Sequence, residues 1–204
     1  MAKAGELRYG ENPHQNAAFY RLAANDEVSI GNAELLGGGK GISFNNLLDV
    51  NAAFELVKEF SEPAAIVVKH LNPCGAAVDD DICKAYEKAY LGDVVSAFGS
   101  IIALNRNVDV NLATVIMESY SRFGKAKGAS GFFAEVIVAP SFDDDAVDAI
   151  RTLKGWGKNV RLMATGKIDR SKIDGSEFDL RCIAGGMLLQ NRDLVAWEKD
   201  KLTF

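Results

Sequence analysis

Five consecutive apolar residues, Ala64-Ala65-Ile66-Val67-Val68, run straight into Lys69-His70 and then into Leu71-Asn72-Pro73-Cys74-Gly75. A short apolar run rich in β-branched side chains predicts a buried strand. Asn72-Pro73 is expected to break it, and Gly75 to permit a backbone conformation that other residues resist. In open α/β sheets, ligands bind beyond the carboxyl ends of strands, which is where Lys69 and His70 fall. Successive strand residues point to opposite faces. Lys69 and His70 can therefore share one site only if the strand stops with them, and the Asn-Pro break supplies that stop.

The rest of the chain alternates between strand and helix patterns. Residues 1–7 read as a loose lead-in, 8–15 as a polar loop with turn chemistry at Gly10 and Asn12-Pro13, and 17–21 as a short edge strand closed by Asn25-Asp26. Val50, Ala53, Phe54, Val57 and Phe60 recur at helical spacing and predict a helix over 49–60. Asp79-Asp80-Asp81 is placed to cap a second helix over 82–90, with Gly92 beyond its end. An apolar run over 94–104 is interrupted by Gly99, which marks a bulge or a close approach. Further helices are expected over 109–120, capped by Asp109, and over 143–153. Residues 124–131 read as a mobile loop, 166–175 as a charged loop and 194–204 as a mostly polar end around Trp197. Strands are expected over 135–139 and 160–164, and a Gly-broken apolar segment over 181–190. This alternation predicts an α/β layered fold with a mainly parallel sheet flanked by helices.

Composition narrows the function classes. A chain of 204 residues suggests one domain or two small ones, and 48% hydrophobic residues can build a core. A net charge of −5 gives no reason to expect nucleic acid. Cys74, Cys83 and Cys182 are odd in number and scattered, unlike a secreted disulfide framework. The first residues lack the apolar run of a signal peptide, and no stretch approaches the roughly 20 apolar residues of a membrane span. A soluble, cytoplasmic protein without a membrane partner is expected.

Two short patterns point to chemistry that the residues do not complete. Gly37-Gly38-Gly39-Lys40-Gly41 lacks the Ser or Thr that a phosphate-binding P-loop places after its lysine, and reads as a flexible turn before a helix. The triple aspartate could hold a metal, but no matching acidic set lies nearby and a solvated helix start is the plainer reading.

Lys69-His70-Leu71-Asn72-Pro73-Cys74-Gly75 resembles the lysine-histidine motif of the AICAR transformylases, the formyltransferase part of PurH-type bifunctional purine-biosynthesis proteins. Three more stretches are similar to the same family and in its order: 7–15 (Leu-Arg-Tyr-Gly-Glu-Asn-Pro-His-Gln), 96–106 (Ser-Ala-Phe-Gly-Ser-Ile-Ile-Ala-Leu-Asn-Arg) and 134–140 (Ala-Glu-Val-Ile-Val-Ala-Pro). Residues 39–46 also resemble its Gly-Lys…Ser-Tyr-Asn-Asn segment, with Phe44 where an aromatic hydroxyl is common. The likeness runs from about Leu7 to about Asp193.

The resemblance implies that residues 1–204 form a single domain, the first of the family's two cytidine-deaminase-like units. The second unit and the IMP cyclohydrolase domain are then absent. It implies transfer of a formyl group from the co-substrate 10-formyltetrahydrofolate to the 5-amino group of AICAR, with no metal. That aromatic amine is a poor nucleophile, and a histidine near its natural pKa suits removal of its proton as it attacks. A neighbouring lysine disfavours the imidazolium and can stabilise the oxyanion of the tetrahedral intermediate. By resemblance His70 is the proton acceptor and Lys69 the stabiliser, while Arg8, Tyr9, Gly99 and Glu135 bind AICAR. His14 and Asn45 are further candidates. The family's active sites lie between subunits, so a homodimer or a partner chain carrying the second transformylase unit is expected. Phe132-Phe133, the segment 183–189 and Trp197 are candidates for its interface, with core packing as the plain alternative.

Two rivals stand beside this reading. Zinc deaminases use a Pro-Cys-x-x-Cys pair, but Pro73-Cys74 is followed by Gly75-Ala76-Ala77 and Cys83 lies nine residues on. Cys74 then reads as a small packing residue. The other rival is a nucleotide-binding or assembly module that does not turn over without a second chain.

Overall fold

The structure, a computed structural model, describes residues 1–22, 28–37, 41–169 and 178–193. The turn at Asn25-Asp26, the Gly39-Lys40 pair, the charged loop from residue 170 onward and the segment around Trp197 lie outside the described residues. The chain divides into two units, Met1–Ile168 and Asp169–Phe204.

The first unit is a layered α/β structure built on a six-stranded mixed sheet. Its strands are β3 (Glu34–Leu35), β4 (Ala64–Lys69), β5 (Asn72–Val78), β6 (Ser100–Leu104), β7 (Ala134–Ala139) and β8 (Arg161–Ala164), following a separate hairpin of β1 (Ala2–Glu6) and β2 (Ala18–Arg21). The sheet order is β3-β8-β7-β6-β4-β5. Only β6–β7 and β7–β8 are parallel; β3–β8, β4–β5 and β4–β6 are antiparallel. The mainly parallel sheet expected from the sequence is therefore corrected to a mixed one.

The cause is local. Asn72-Pro73 does not end the structure there; it starts β5, which folds straight back on β4 with Lys69 paired to Asn72. Pro73 is tolerated because β5 is an edge strand, where a missing N–H costs no ladder bond, and because the register slips beside it. After that reversal, helix α2 (Ile82–Gly92) returns the chain, and β6 must run antiparallel to β4. The helices α3 (Val110–Met117) and α4 (Asp144–Leu153) then make true parallel crossovers to β7 and β8.

Helix α1 (Phe44–Val57) covers one sheet face. Its Val50, Ala53, Phe54 and Val57 join Ile66, Val68, Ile101, Ala103, Val136 and Val138 in one apolar cluster. Helices α2, α3 and α4 cover the other, where Tyr86, Tyr90, Leu112, Ile116 and Ile150 meet Val67, Ile102, Leu104 and Ile137. Helix α1 begins five residues before the expected start. Ser43 caps it, accepting from Asn46 N at 3.2 Å while its own amide donates to Asn46 Oδ1 at 3.4 Å. This is a capping box with Asn in place of the usual Glu or Gln. Asp81 and Asp109 cap α2 and α3 as expected, accepting from Cys83 N at 2.9 Å and Leu112 N at 2.8 Å.

Several expectations are corrected. Residues 2–6 form β1 rather than a loose lead-in. The run over 94–104 is a strand only from Ser100, and Gly99 precedes it at φ 72°. Short helical turns run over Tyr120–Gly124 and Lys125–Lys127, with Gly124 against the Tyr90 hydroxyl, so the loop expected over 124–131 begins as helical turn. Gly75 is not needed for its backbone angle: a Cβ there would lie 1.7 Å from the Ala89 carbonyl oxygen, so its role is to let β5 and α2 pack closely. Phe132 is a core residue, edge-on to Tyr90 at 5.0 Å and to Trp156 at 5.8 Å, and not an interface candidate.

The second unit, over its described residues, is a hairpin of β9 (Phe178–Ile183) and β10 (Gly186–Asn191), turning at Gly185 with φ 77°. The Gly-broken segment expected over 181–190 falls within this hairpin, and its break is the turn.

Candidate active site

The β4–β5 hairpin turns over two residues, His70 and Leu71, both at positive φ (51° and 67°). That matches a type I′ turn, whose twist suits a tight hairpin but which normally takes Asn-Gly. A histidine and a leucine there cost roughly 1–2 kcal/mol each, and backbone strain of this kind clusters at functional sites. The turn is held from two sides. Asp49 Oδ1, on the second turn of α1, accepts from Leu71 N at 2.8 Å, and the Asn72 side chain donates to the His70 carbonyl at 3.1 Å.

Beside the turn lies an open cleft of about 390 Å³. Its lining combines Lys69, His70 and Leu71 with Gly99, Glu135, Tyr9, Glu11, Ser43, Asn45, Asn46, Leu48 and Asp49. Because β4 runs opposite to β6 and β7, the cleft sits at the carboxyl end of β4 but at the amino ends of β6 and β7. The rule that sites lie beyond strand carboxyl ends holds for β4 alone. The N-terminus of α1 opens onto the same cleft, and its partial positive charge favours an anionic ligand.

Lys69 is the residue after the last β4–β6 pair, Val68 with Ile101, and its Nζ donates to the Gly99 carbonyl at 2.9 Å. Among the described residues no carboxylate pairs with it, and two of its three N–H donors are left for a ligand. Gly99 is required for this contact. A Cβ there would meet both Lys69 Nζ and the Phe133 ring at 3.0 Å, and its φ of 72° disfavours any side chain. The Gly99 amide donates to the Phe133 carbonyl at 2.9 Å, so its backbone is locked on both sides.

Glu135 owes its aim to a bulge. Ser100 pairs with Ala134 and Ile101 with Val136, so Glu135 is the extra residue, the usual device for re-aiming a side chain beside a site. Its carboxylate is held by Arg161 on β8, a guanidinium only 2% exposed. Arg161 also donates to the Gly41 carbonyl at 3.2 Å, tying the approach to α1 into the same network.

The N-terminal loop docks on α1. Arg8 N donates to the Ile42 carbonyl at 3.2 Å, Phe44 N to the Tyr9 carbonyl at 3.4 Å, and the Asn45 side chain to the Glu11 carbonyl at 3.1 Å. This places Tyr9 in the cleft wall, with the Arg8 guanidinium 5.1 Å from the Tyr9 ring centre and Arg8 itself outside the lining. His14 is exposed on the loop and outside the lining. The loop is closed by Gln15, which takes the Asn12 amide at 2.7 Å and accepts from Gly10 N at 2.8 Å through its own carbonyl.

Of the eight residues singled out from sequence, six line one cleft: Tyr9, Asn45, Lys69, His70, Gly99 and Glu135. Arg8 and His14 are outside the lining, Arg8 stacking on Tyr9. Sequence reasoning singled out neither Ser43 and Asn46, quoted only within the resembling segment 39–46, nor Asp49 and Arg161. The Ser-x-x-Asn pattern at 43–46 could have revealed the first two; nothing local marks the others. Among the described residues no three His, Cys, Asp or Glu side chains gather as a metal-holding group, and Cys74 Sγ donates to the Val67 carbonyl at 3.3 Å. No described helix is long and apolar enough to cross a membrane.

A family model described as the AICARFT/IMPCHase bienzyme matches residues 1–204. Three curated relatives each carry the description bifunctional purine biosynthesis protein PurH. That of Sorangium cellulosum is 47% identical over 197 residues, covering 96% of this chain and 34% of the relative. That of Magnetococcus marinus is 48% identical over 194 residues (94% and 33%), and that of Rhodopirellula baltica 42% over 193 (95% and 34%). The chain thus spans about a third of the length of the curated relatives it matches.

Proposed function

The chain belongs to the AICARFT/IMPCHase bienzyme family, and from that premise we propose that it is transformylase machinery, moving a formyl group from 10-formyltetrahydrofolate to the 5-amino group of AICAR in purine (IMP) biosynthesis. The observation that carries this reading is the convergence of Lys69 and His70, Gly99 and Glu135, from three separate segments, on one cleft headed by a helix N-terminus.

In this reading His70 accepts the amine proton as the nitrogen attacks the formyl carbon. The oxygen of that carbon becomes an oxyanion, and the ammonium of Lys69, aimed by Gly99, stabilises it. Collapse expels the folate nitrogen, which takes back the proton from His70. Tyr9, Gly99 and Glu135 hold the AICAR ring and ribose, Arg8 reaches its anionic end from outside the lining, and His14 and Asn45 support the loop. No metal is needed. A cleft of about 390 Å³ is near the lower end of ligand pockets, roughly 300–1,000 Å³. It suits one nucleotide, and the folate then rests largely on surface from a second transformylase unit, in a homodimer or on a partner chain, in the cytoplasm. The layered unit is read as the first of two cytidine-deaminase-like units.

The partial span relative to the family favours one further reading, an AICAR-binding and assembly module that turns over only with the missing length supplied. A single experiment treats both: formyl transfer and FAICAR cyclisation, measured for the chain alone and with a polypeptide supplying the rest of a relative. The expected result is formyl transfer in the supplemented sample, lost at least about 100-fold in His70→Ala, with AICAR affinity by calorimetry within about tenfold of wild type. Cyclisation without formyl transfer would move the chain to the other half of the bienzyme. Full turnover in His70→Ala would end the proton-acceptor role.

A further inference from the structure

The strain at the hairpin tip has a specific holder. In a two-residue hairpin the flanking pair, here Lys69 and Asn72, supplies the ladder bonds, and the amide of the second central residue points away from the ladder. That orphan amide is Leu71 N, and its acceptor is the Asp49 carboxylate at 2.8 Å. Asp49 sits on a rigid base. It precedes Val50, which is 0% exposed, and α1 is pinned to the sheet by Val50, Ala53, Phe54 and Val57. Positive φ is uncommon for any non-glycine residue and least suited to Leu71, so without this acceptor the turn has an incentive to relax toward ordinary β angles. Relaxation of the turn would swing His70 out of its place in the cleft while leaving Lys69, which is anchored separately on Gly99.

We infer that Asp49 is the positioning residue for His70: its carboxylate, carried on α1, clamps the left-handed turn and thereby sets the direction of the imidazole. Asp49 needs no contact with the reacting atoms to do this. Its required property is an acceptor oxygen at that point, not a negative charge. The inference rests on the reading of His70 as proton acceptor, but the clamp itself is independent of any reaction.

The test uses the whole chain as wild type, Asp49→Ala and Asp49→Asn, since an Asn oxygen can still accept from Leu71 N. The first arm needs no substrate. Amide exchange at Leu71 and NMR relaxation of the His70 ring are followed in each variant, with circular dichroism as the check on folding. Loss of a hydrogen bond to a charged acceptor predicts Leu71 exchange faster by about 10- to 100-fold in Asp49→Ala and a looser His70 ring, both largely restored in Asp49→Asn. Unchanged exchange in Asp49→Ala, or an Asn variant as loose as the Ala variant, overturns the clamp. The second arm is formyl transfer in the supplemented assay. Asp49→Ala should lower kcat by about 10- to 100-fold, within the worth of a general base, with KM for AICAR little changed and Asp49→Asn recovering most of the loss. An unchanged kcat despite a loosened turn overturns the positioning role. If wild type transfers no formyl group, the proposed reaction fails, and the first arm still decides the clamp.

Discussion

Lys69 and His70 are adjacent in sequence yet are held by unrelated means. Lys69 is aimed by a carbonyl made available by a glycine at φ 72°, and His70 by a turn that a helix clamps from outside. Single residues elsewhere show how strongly burial can set chemistry. The Cys83 thiol is pushed up to about 11, first by burial and then by the nearby Asp81 and Asp109 carboxylates. Burial also raises the Cys74 thiol, while Cys182 is exposed on β9. Iodoacetamide near pH 8 should therefore modify Cys182 first and Cys83 slowest, read by peptide mass spectrometry. Equal rates at Cys83 and Cys182 would contradict the burial argument. The same shift has a sign for stability. The native state keeps a proton that the unfolded chain releases at lower pH, so the contribution of Cys83 is intact below about pH 9 and lost as pH rises through about 11. Cys83→Ala should flatten that alkaline loss in urea titrations. An alkaline limb as steep as wild type would assign it to other groups.

At the scale of elements, the edge hairpin decides the site. Strand β5 stays against α2 because two glycines remove side chains from the contact: Gly75 faces the Ala89 carbonyl, and a Cβ at Gly92 would lie 2.9 Å from the Cys74 carbonyl oxygen. Gly75→Ala should thus cost about 3 kcal/mol, the upper end of ordinary overpacking, because backbone rather than a flexible side chain must yield. Chemical denaturation gives the value, and a change under about 0.5 kcal/mol, the usual range for harmless surface substitutions, would mean the helix moves freely. The opposite end of β4 is tied by Asn105, whose side chain accepts from Ala64 N at 2.8 Å and donates to the Phe60 and Glu62 carbonyls at 3.0 and 2.7 Å. Residue 105 lies in one of the motifs that carry the family likeness, yet its work is to join the loop after α1 to the strand.

At the scale of the whole molecule, the two apolar clusters that hold the sheet between its helices are both drawn from the first unit. A chain truncated after Ile168 should keep a cooperative thermal transition and the far-UV signature of the layered fold. Loss of cooperativity would show that residues 169–204 are part of the folding unit. The hairpin of the second unit displays Phe178, Ile183, Met187, Leu188 and Leu189, each more than half exposed.

What the sequence determined by itself was whatever depends on neighbours along the chain. The apolar β-branched runs at 64–68 and 134–139 specify buried strands, the helical spacing from Val50 to Val57 specifies a core-facing helix, and Asp81, Asp109 and Asp143 mark helix starts. Most of the candidate site was also legible, because four motifs in a fixed order resemble one family. The tertiary structure alone decided strand direction, because Asn72-Pro73 has the composition of a break and becomes a strand only when an edge position excuses its missing donor. It also decided the supports of the site. Asp49 and Arg161 lie 22 and 26 residues from the groups they hold, Leu71 and Glu135. A hydrogen bond over such a separation leaves no local pattern; it exists only once helix and sheet have packed and brought acceptor and donor within 3 Å.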